Sequence, residues 1–282
     1  MTSPLVLAVN GFRCEIVPDM GACIAGLWLD GVPVLRSPGA AALASVRQSG
    51  SYPLVPFSNR IGQATLQWNG TSHPLVRNFG DEPHAIHGVG WQRPWAVLDS
   101  EDHFALLSYE HKPDASWPFA FDTSQAFRLT GNELEVTLSI TNQSTSPTPV
   151  GLGWHPYFPK RARSRLHIEL TDRWDNDPSG LPVNRHTQPG IDSDVAHLAF
   201  DNCFEGWRGA ARLRDEKLSM RITSSLPYLV VFTPDTKPYY CVEPVSHVSN
   251  AIHMSDPAAH GLRDLAPGAT FDAWMKLEVA PA

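Results

Sequence analysis

Cysteine is scarce in this chain: four residues among 282, Cys14, Cys23, Cys203 and Cys241, widely spaced and with no CxxC pair. That excludes the disulfide framework of a small secreted scaffold and reads instead as reduced thiols in a cytoplasm. Positive charge is also in deficit. Lysine and arginine total 22 against 29 acidic residues, a formal net charge of −7, which opposes broad attraction to phosphate backbones or anionic lipid, so no nucleic-acid partner is expected. No apolar run approaches the roughly 20 residues that span a bilayer. Met1-Thr2-Ser3-Pro4 and the short run Leu5 to Val9 lack the basic segment and the length of a signal peptide, so neither export nor a membrane partner is expected. Helical periodicity is missing too: no stretch keeps a 3.6-residue apolar repeat beyond about two turns, and 25 prolines break helices.

What is present is a folding composition, 42% apolar with 9 Trp and 12 Phe, enough for one large core. Leu134, Val136, Leu138 and Ile140 alternate with polar residues, the period-2 pattern of a strand with one buried face. Leu166, Ile168 and Leu170 repeat it, as do Phe271, Ala273, Met275, Leu277 and Val279, while Tyr228 to Thr233 is a continuous apolar strand candidate. Turn signals separate such segments, among them Asn10-Gly11, Asp30-Gly31, Asn69-Gly70, Gly131-Asn132 and Pro267-Gly268. The expected fold is all-β, a large antiparallel β-sandwich formed by residues 1–282 as one domain. Residues 171–199 are polar and rich in Asp, Pro and Gly, and read as a long excursion from the sheets, of the kind that often carries function.

Four clusters set titratable groups among apolar or aromatic neighbours: Pro56-Phe57-Ser58-Asn59-Arg60-Ile61, His84-Ala85-Ile86-His87-Gly88, Gly153-Trp154-His155-Pro156-Tyr157-Phe158 and Cys241-Val242-Glu243-Pro244, with Phe200-Asp201-Asn202-Cys203-Phe204 as a weaker fifth. In this order they resemble the aldose 1-epimerases, the galactose mutarotase-like family, over nearly the whole chain. Trp154-His155-Pro156-Tyr157-Phe158 is similar to that family's W-H-P-Y-F, the most specific of the set. His84 stands where the family's N-x-L-H-G carries Asn, and Ser249 to His253 departs from the family's usual loop after the glutamate.

The resemblance implies a β-sandwich of the galactose mutarotase type that interconverts the α and β anomers of a free aldohexose. Glu243 is then the general base and His155 the general acid, while Arg60, His87, Asp201 and Asn59 hold the sugar. The reaction itself asks for one base at O1 and one acid at the ring oxygen; no hydride moves, so no cofactor is implied. Bland readings stand beside these: His155 as a core histidine, Glu243 as a paired edge carboxylate, Arg60 as an ion-pair partner, Asp201 as a turn cap. No metal is expected, because His84 with His87, or His247 and His253 near Glu243, fall short of a zinc motif. The partner expected is a small sugar, for a monomer or homodimer. Two alternatives remain: a hexose-6-phosphate 1-epimerase, for which Lys160, Arg161, Arg163 and Arg165 would be the phosphate clamp, and a sugar-binding module without turnover.

Overall fold

The computed structural model describes residues 3–282. Strand covers 51% of it, and the helical pieces are three-residue turns. None of the described helices is long and apolar enough to cross a membrane. Two large antiparallel sheets, of nine and eight strands, dominate. The nine-stranded sheet holds the segments with the clearest alternation. Glu133–Asn142 buries every second residue and pairs on one side with Phe121–Thr130 and on the other with Thr270–Pro281, Val136 facing Phe127 and Met275. Its inward residues, Leu134, Val136, Leu138 and Ile140, join one core cluster with Leu229, Val231, Tyr240 and Val242 of the eight-stranded sheet. Removing each such side chain from water contributes about 1.5–3 kcal/mol, which holds the two sheets face to face. One polar link crosses this core, where Trp154 Nε1 donates to Gln125 Oε1 at 3.1 Å.

The Asn-Gly and Asp-Gly signals mark real hairpins. Asn10, Asp30 and Asn69 have φ of 47–48° and Gly11, Gly31 and Gly70 of 75–82°, so both central residues are left-handed, as a type I′ turn requires. They join Leu5–Val9 to Phe12–Val17, Cys23–Leu29 to Val32–Pro33, and Thr65–Trp68 to Thr71–Pro74.

Residues 171–199 are not an excursion from the sheets. Asp172–Asn176 and Pro182–Thr187 form a hairpin that widens the eight-stranded sheet to its edge, and Ile191–Asp194 ends the nine-stranded sheet beside Arg165–Ile168. The sequence misleads because edge strands are wet on both faces: Pro182–Thr187 has no buried residue, so neither apolar alternation nor an apolar run marks it. The predicted strand from Arg165 also stops at Ile168.

Three of the four cations after the W-H-P-Y-F segment have structural partners. Arg161 donates to Asp215 Oδ2 at 2.5 Å and to the Pro33 carbonyl, Arg165 pairs with Asp192 and Asp194, and Lys160 reaches the Pro234 carbonyl. The side chain of Asp215 is 1% exposed, and breaking a buried pair from one side leaves an uncompensated charge. Arg161→Ala should therefore lower unfolding stability by about 3 kcal/mol in urea melts while kcat/KM stays at the wild-type value. A stable variant with impaired kinetics would return Arg161 to the substrate.

Candidate active site

Tyr239–Val245 is buried on both faces, apart from partial exposure of Tyr239. Successive side chains of a strand alternate sides, so Tyr240 and Val242 enter the core between the sheets, while Cys241 and Val245 pack into a second cluster with Cys23, Tyr52, Leu54 and Trp91. Glu243 falls on that second side. The same parity on Tyr228–Phe232 sends Leu229 and Val231 inward and Val230 outward. The outer face of the eight-stranded sheet is thus roofed by the amino-terminal third of the chain, and between roof and sheet lies a pocket of about 270 Å³.

The pocket brings together all six residues expected from the sequence: Asn59, Arg60, His87, His155, Asp201 and Glu243. Glu243 is 3% exposed. Burial raises its carboxyl well above the ordinary glutamate range, and Asp201 adds to this while Arg60 opposes it. His155 leaves the strand Gly153–Trp154 with its backbone N–H on the Tyr52 carbonyl. Its Nε2 is 3.4 Å from Glu243 Oε1. The ring lies parallel to Tyr157, centroids 4.4 Å apart, and the Tyr157 hydroxyl is 3.4 Å from the same nitrogen and 3.1 Å from the Tyr52 hydroxyl. Burial pulls the His155 pKa down to about 3, and the Arg36 guanidinium, stacked 3.8 Å over Tyr157, pushes the same way. His155 Nδ1 is buried with no partner among the described residues.

Arg60 and His87 are placed by an unusual piece of backbone. Asn59 and His87 both have positive φ, 55° and 61°, a left-handed conformation that Asn and His adopt more readily than most side chains. Two reciprocal bonds hold them: His87 N–H donates to the Asn59 carbonyl at 2.8 Å, and Asn59 N–H donates to His87 Nδ1 at 3.1 Å. Because Nδ1 accepts, a neutral His87 carries its proton on Nε2. Burial, with help from His155 and Arg60, drives its pKa well below the usual value, so this ring is a neutral donor. Arg60 donates to Asn59 Oδ1 and to Glu82 Oε1, both at 3.1 Å; it is an ion-pair partner and a pocket wall at once. Asn59 Oδ1 also accepts from Ser249, which makes Asn59 chiefly a brace. Asp201 stands at the mouth, more than a third exposed, yet packing around it still raises its carboxyl.

Sequence reading missed Glu82, Phe79, Arg47 and Tyr239, which also line the pocket. Glu82 sits in a polar turn with no local sign that it meets Arg60. The histidines weighed as metal ligands are otherwise engaged: His84 accepts from Gln63 N–H and contacts the Ser179 carbonyl, and His247 lies between Ser58 N–H and the Val248 carbonyl. The set that does converge is His155, Cys241 and Glu243, whose ligand atoms lie within 4.8 Å of one another. It offers the donors a divalent ion of zinc type accepts, and Cys241 was not anticipated there.

Three buried histidines give the fold a distinct acid response. His155 and His247 fall to about 3 and about 4, and His87 falls well below its usual value. The unfolded chain binds these protons near pH 6.5 while the fold refuses them, so their contribution is complete above 6.5 and is lost as pH falls toward 3–4. Stability in urea melts should drop between pH 6.5 and 4 by up to about 1.4 kcal/mol per pH unit for each histidine. A flat profile over that range would contradict their burial as neutral rings.

The family model for aldose 1-epimerases matches residues 5–278. The chain belongs to the aldose 1-epimerase family. Within it, this epimerase-family chain is 32% identical over 280 residues to the uncharacterised protein YphB of Escherichia coli K12, covering 93% of this chain and 94% of that one. A solved structure of an aldose 1-epimerase candidate from the same organism superposes with a TM-score of 0.88 at 29% identity, over 99% of both chains. A galactose mutarotase-like protein from Clostridium acetobutylicum shares the fold, with a TM-score of 0.85 at 21% identity, over 98% of this chain and 95% of that one.

Proposed function

We propose that this protein is an aldose 1-epimerase acting on a free, neutral aldohexose. The observation that carries the reading is the buried Glu243–His155 pair, 3.4 Å apart, at the closed end of a pocket sized for one sugar ring. Glu243 takes the proton from the anomeric O1 and His155 supplies one to the ring O5, so the C1–O5 bond breaks to the open aldehyde. After rotation about C1–C2 the ring closes on the other face, with the two groups exchanging roles. Each positioned proton-transfer group contributes about 10²- to 10⁴-fold. Before a sugar binds, burial favours the neutral forms, carboxyl and imidazole. The carboxylate and imidazolium needed for reaction differ from them only by one proton passed across the pair, with no exchange with solvent. Sugar hydroxyls donating to Glu243, together with the positive charge of Arg60, favour that charge-separated form. His87 Nε2–H, Arg60 and Asp201 are proposed to hold the remaining hydroxyls.

Charge argues against the phosphorylated substrate. None of the 160–165 cations lines the pocket, where Arg47 and Arg60 stand with the carboxyl groups of Glu82, Asp201 and Glu243. Saturation-transfer NMR on glucose, galactose and glucose 6-phosphate tests the reading, since it detects anomer exchange directly. Exchange of the free hexoses, with the phosphate at least tenfold poorer in kcat/KM, is the expected result. No exchange in any sugar would leave a binding module.

A further inference from the structure

Cys241 has no part in the proton transfers proposed above, yet it stands against both groups that make them. Cys241 and Glu243 are two residues apart on Tyr239–Val245 and so share a face of that strand. Tyr157 lies opposite Cys241 in the sheet register, and His155 precedes it by two residues. The ligand atoms of His155, Cys241 and Glu243 thereby lie within 4.8 Å of one another. We propose that these three side chains capture a thiophilic divalent ion of the zinc class, which blocks the catalytic pair and reversibly inhibits the enzyme. The inference rests on the epimerase reading above and adds a regulation of the same site.

Tetrahedral zinc, with bonds of about 2.0–2.1 Å to nitrogen and oxygen, holds those two ligands about 3.4 Å apart. His155 Nε2 and Glu243 Oε1 are already at 3.4 Å. A thiolate bond of about 2.3 Å sets sulfur about 3.6 Å from the other two, so Cys241 Sγ has at most about 1.2 Å to close. Small torsions shared among three side chains supply that. Charge balances too: thiolate and carboxylate cancel the two positive charges of the ion, and the neutral imidazole is the third donor, so the buried complex carries no net charge. On binding, the Cys241 S–H proton and the one proton held by the Glu243–His155 pair pass to solvent. Sulfur and imidazole donors select zinc-type ions over magnesium and calcium, which seek oxygen. Glu243 and His155 line the pocket while Cys241, 0% exposed, lies behind them. The ion therefore enters by the path of the sugar and keeps its fourth position for water. A metal-bound histidine ordinarily donates its other ring nitrogen to a partner, whereas His155 Nδ1 has none among the described residues. The site is thus weaker than a structural zinc and gives up its ion to a chelator.

The test uses the intact protein in metal-free buffer, wild type beside Cys241→Ser, with Cys241→Ala as the second variant should Ser destabilise the buried position. Co²⁺ serves as the spectroscopic probe and Zn²⁺ as the inhibitor. A thiolate-to-cobalt charge-transfer band in the near ultraviolet, absent from the variant, is the expected signature of the sulfur ligand. Calorimetry should find Zn²⁺ bound at least tenfold more weakly by the variant, whose glucose exchange without metal shows that it is folded. In saturation-transfer NMR on glucose, Zn²⁺ at ten times its Kd should raise KM about tenfold with kcat unchanged. EDTA should reverse this, and Mg²⁺ at the same concentration should have no effect. A wild type without the cobalt band, a Kd shifted less than tenfold in the variant, or Zn²⁺ binding that leaves KM unchanged would overturn the proposal. If wild type exchanges no sugar even without metal, the epimerase reading falls and the ion site is judged on the cobalt band and the Kd ratio alone: both as expected support it, and failure of either overturns it.

Discussion

Glu243→Gln is expected to lower anomer exchange by about 10³-fold or more, within the range of one lost proton-transfer group and the partner it leaves idle. The amide keeps the shape and still accepts a hydrogen bond through its oxygen, but cannot take the O1 proton, so sugar affinity should change by no more than a few fold. The same substitution should stabilise the fold at pH 8. Burial raises the Glu243 carboxyl well above its ordinary value; the unfolded chain therefore releases this proton as pH passes the usual carboxylate range, while the fold retains it. Stability is lost over that rise, and Gln, which has no proton to lose, escapes the loss. The gain should vanish below about pH 4.5, where the carboxyl is protonated in both states. Urea melts at pH 8 and pH 4 measure this, and exchange near the wild-type rate would remove Glu243 from the mechanism. A residue that costs stability and is kept fits a site where function and stability pull apart.

His155→Asn is expected to be similarly crippled, because without protonation of O5 the ring oxygen leaves as an alkoxide. The wild-type pH profile carries the sharper information. The pair works while it holds one proton, so activity falls when it gains a second or loses its only one. With His155 pulled down to about 3 and Glu243 pushed up, kcat/KM should show no acid limb at the ordinary histidine position and should fall on the alkaline side. An acid limb near pH 6.5, where an ordinary histidine titrates, would mean that His155 does not share its proton with Glu243. In His155→Asn the residual rate should lose this alkaline limb's wild-type position, since the remaining carboxyl no longer has an imidazole 3.4 Å away.

Much of this was legible in the chain. The period-2 segments around Leu138 and Met275 are strands because one face is core and the other water, and that asymmetry is written directly into residue order. The paired Asn-Gly and Asp-Gly turns followed from backbone sterics alone. The site residues could be singled out because Trp154-His155-Pro156-Tyr157-Phe158 and Val242-Glu243-Pro244 resemble motifs of the aldose 1-epimerase family. Neutral, low-pKa histidines could not be read this way, because a pKa depends on what surrounds a ring and not on what precedes it in sequence.

Sequence by itself determined the period-2 strands and the Asn-Gly and Asp-Gly turns, since these depend on local sterics and on alternation between core and water. Tertiary structure alone decided that Glu243 and His155, 88 positions apart in the numbering, meet at 3.4 Å. It also decided that Glu82 clasps Arg60, that Arg161 and Arg165 turn to Asp215, Asp192 and Asp194 instead of to the pocket, and that the polar 171–199 stretch becomes sheet edge. The physical reason is the same in each case. Long-range pairing across a sheet is set by which faces must be covered together, and a polar side chain carries no periodic mark of the partner it will meet once they are.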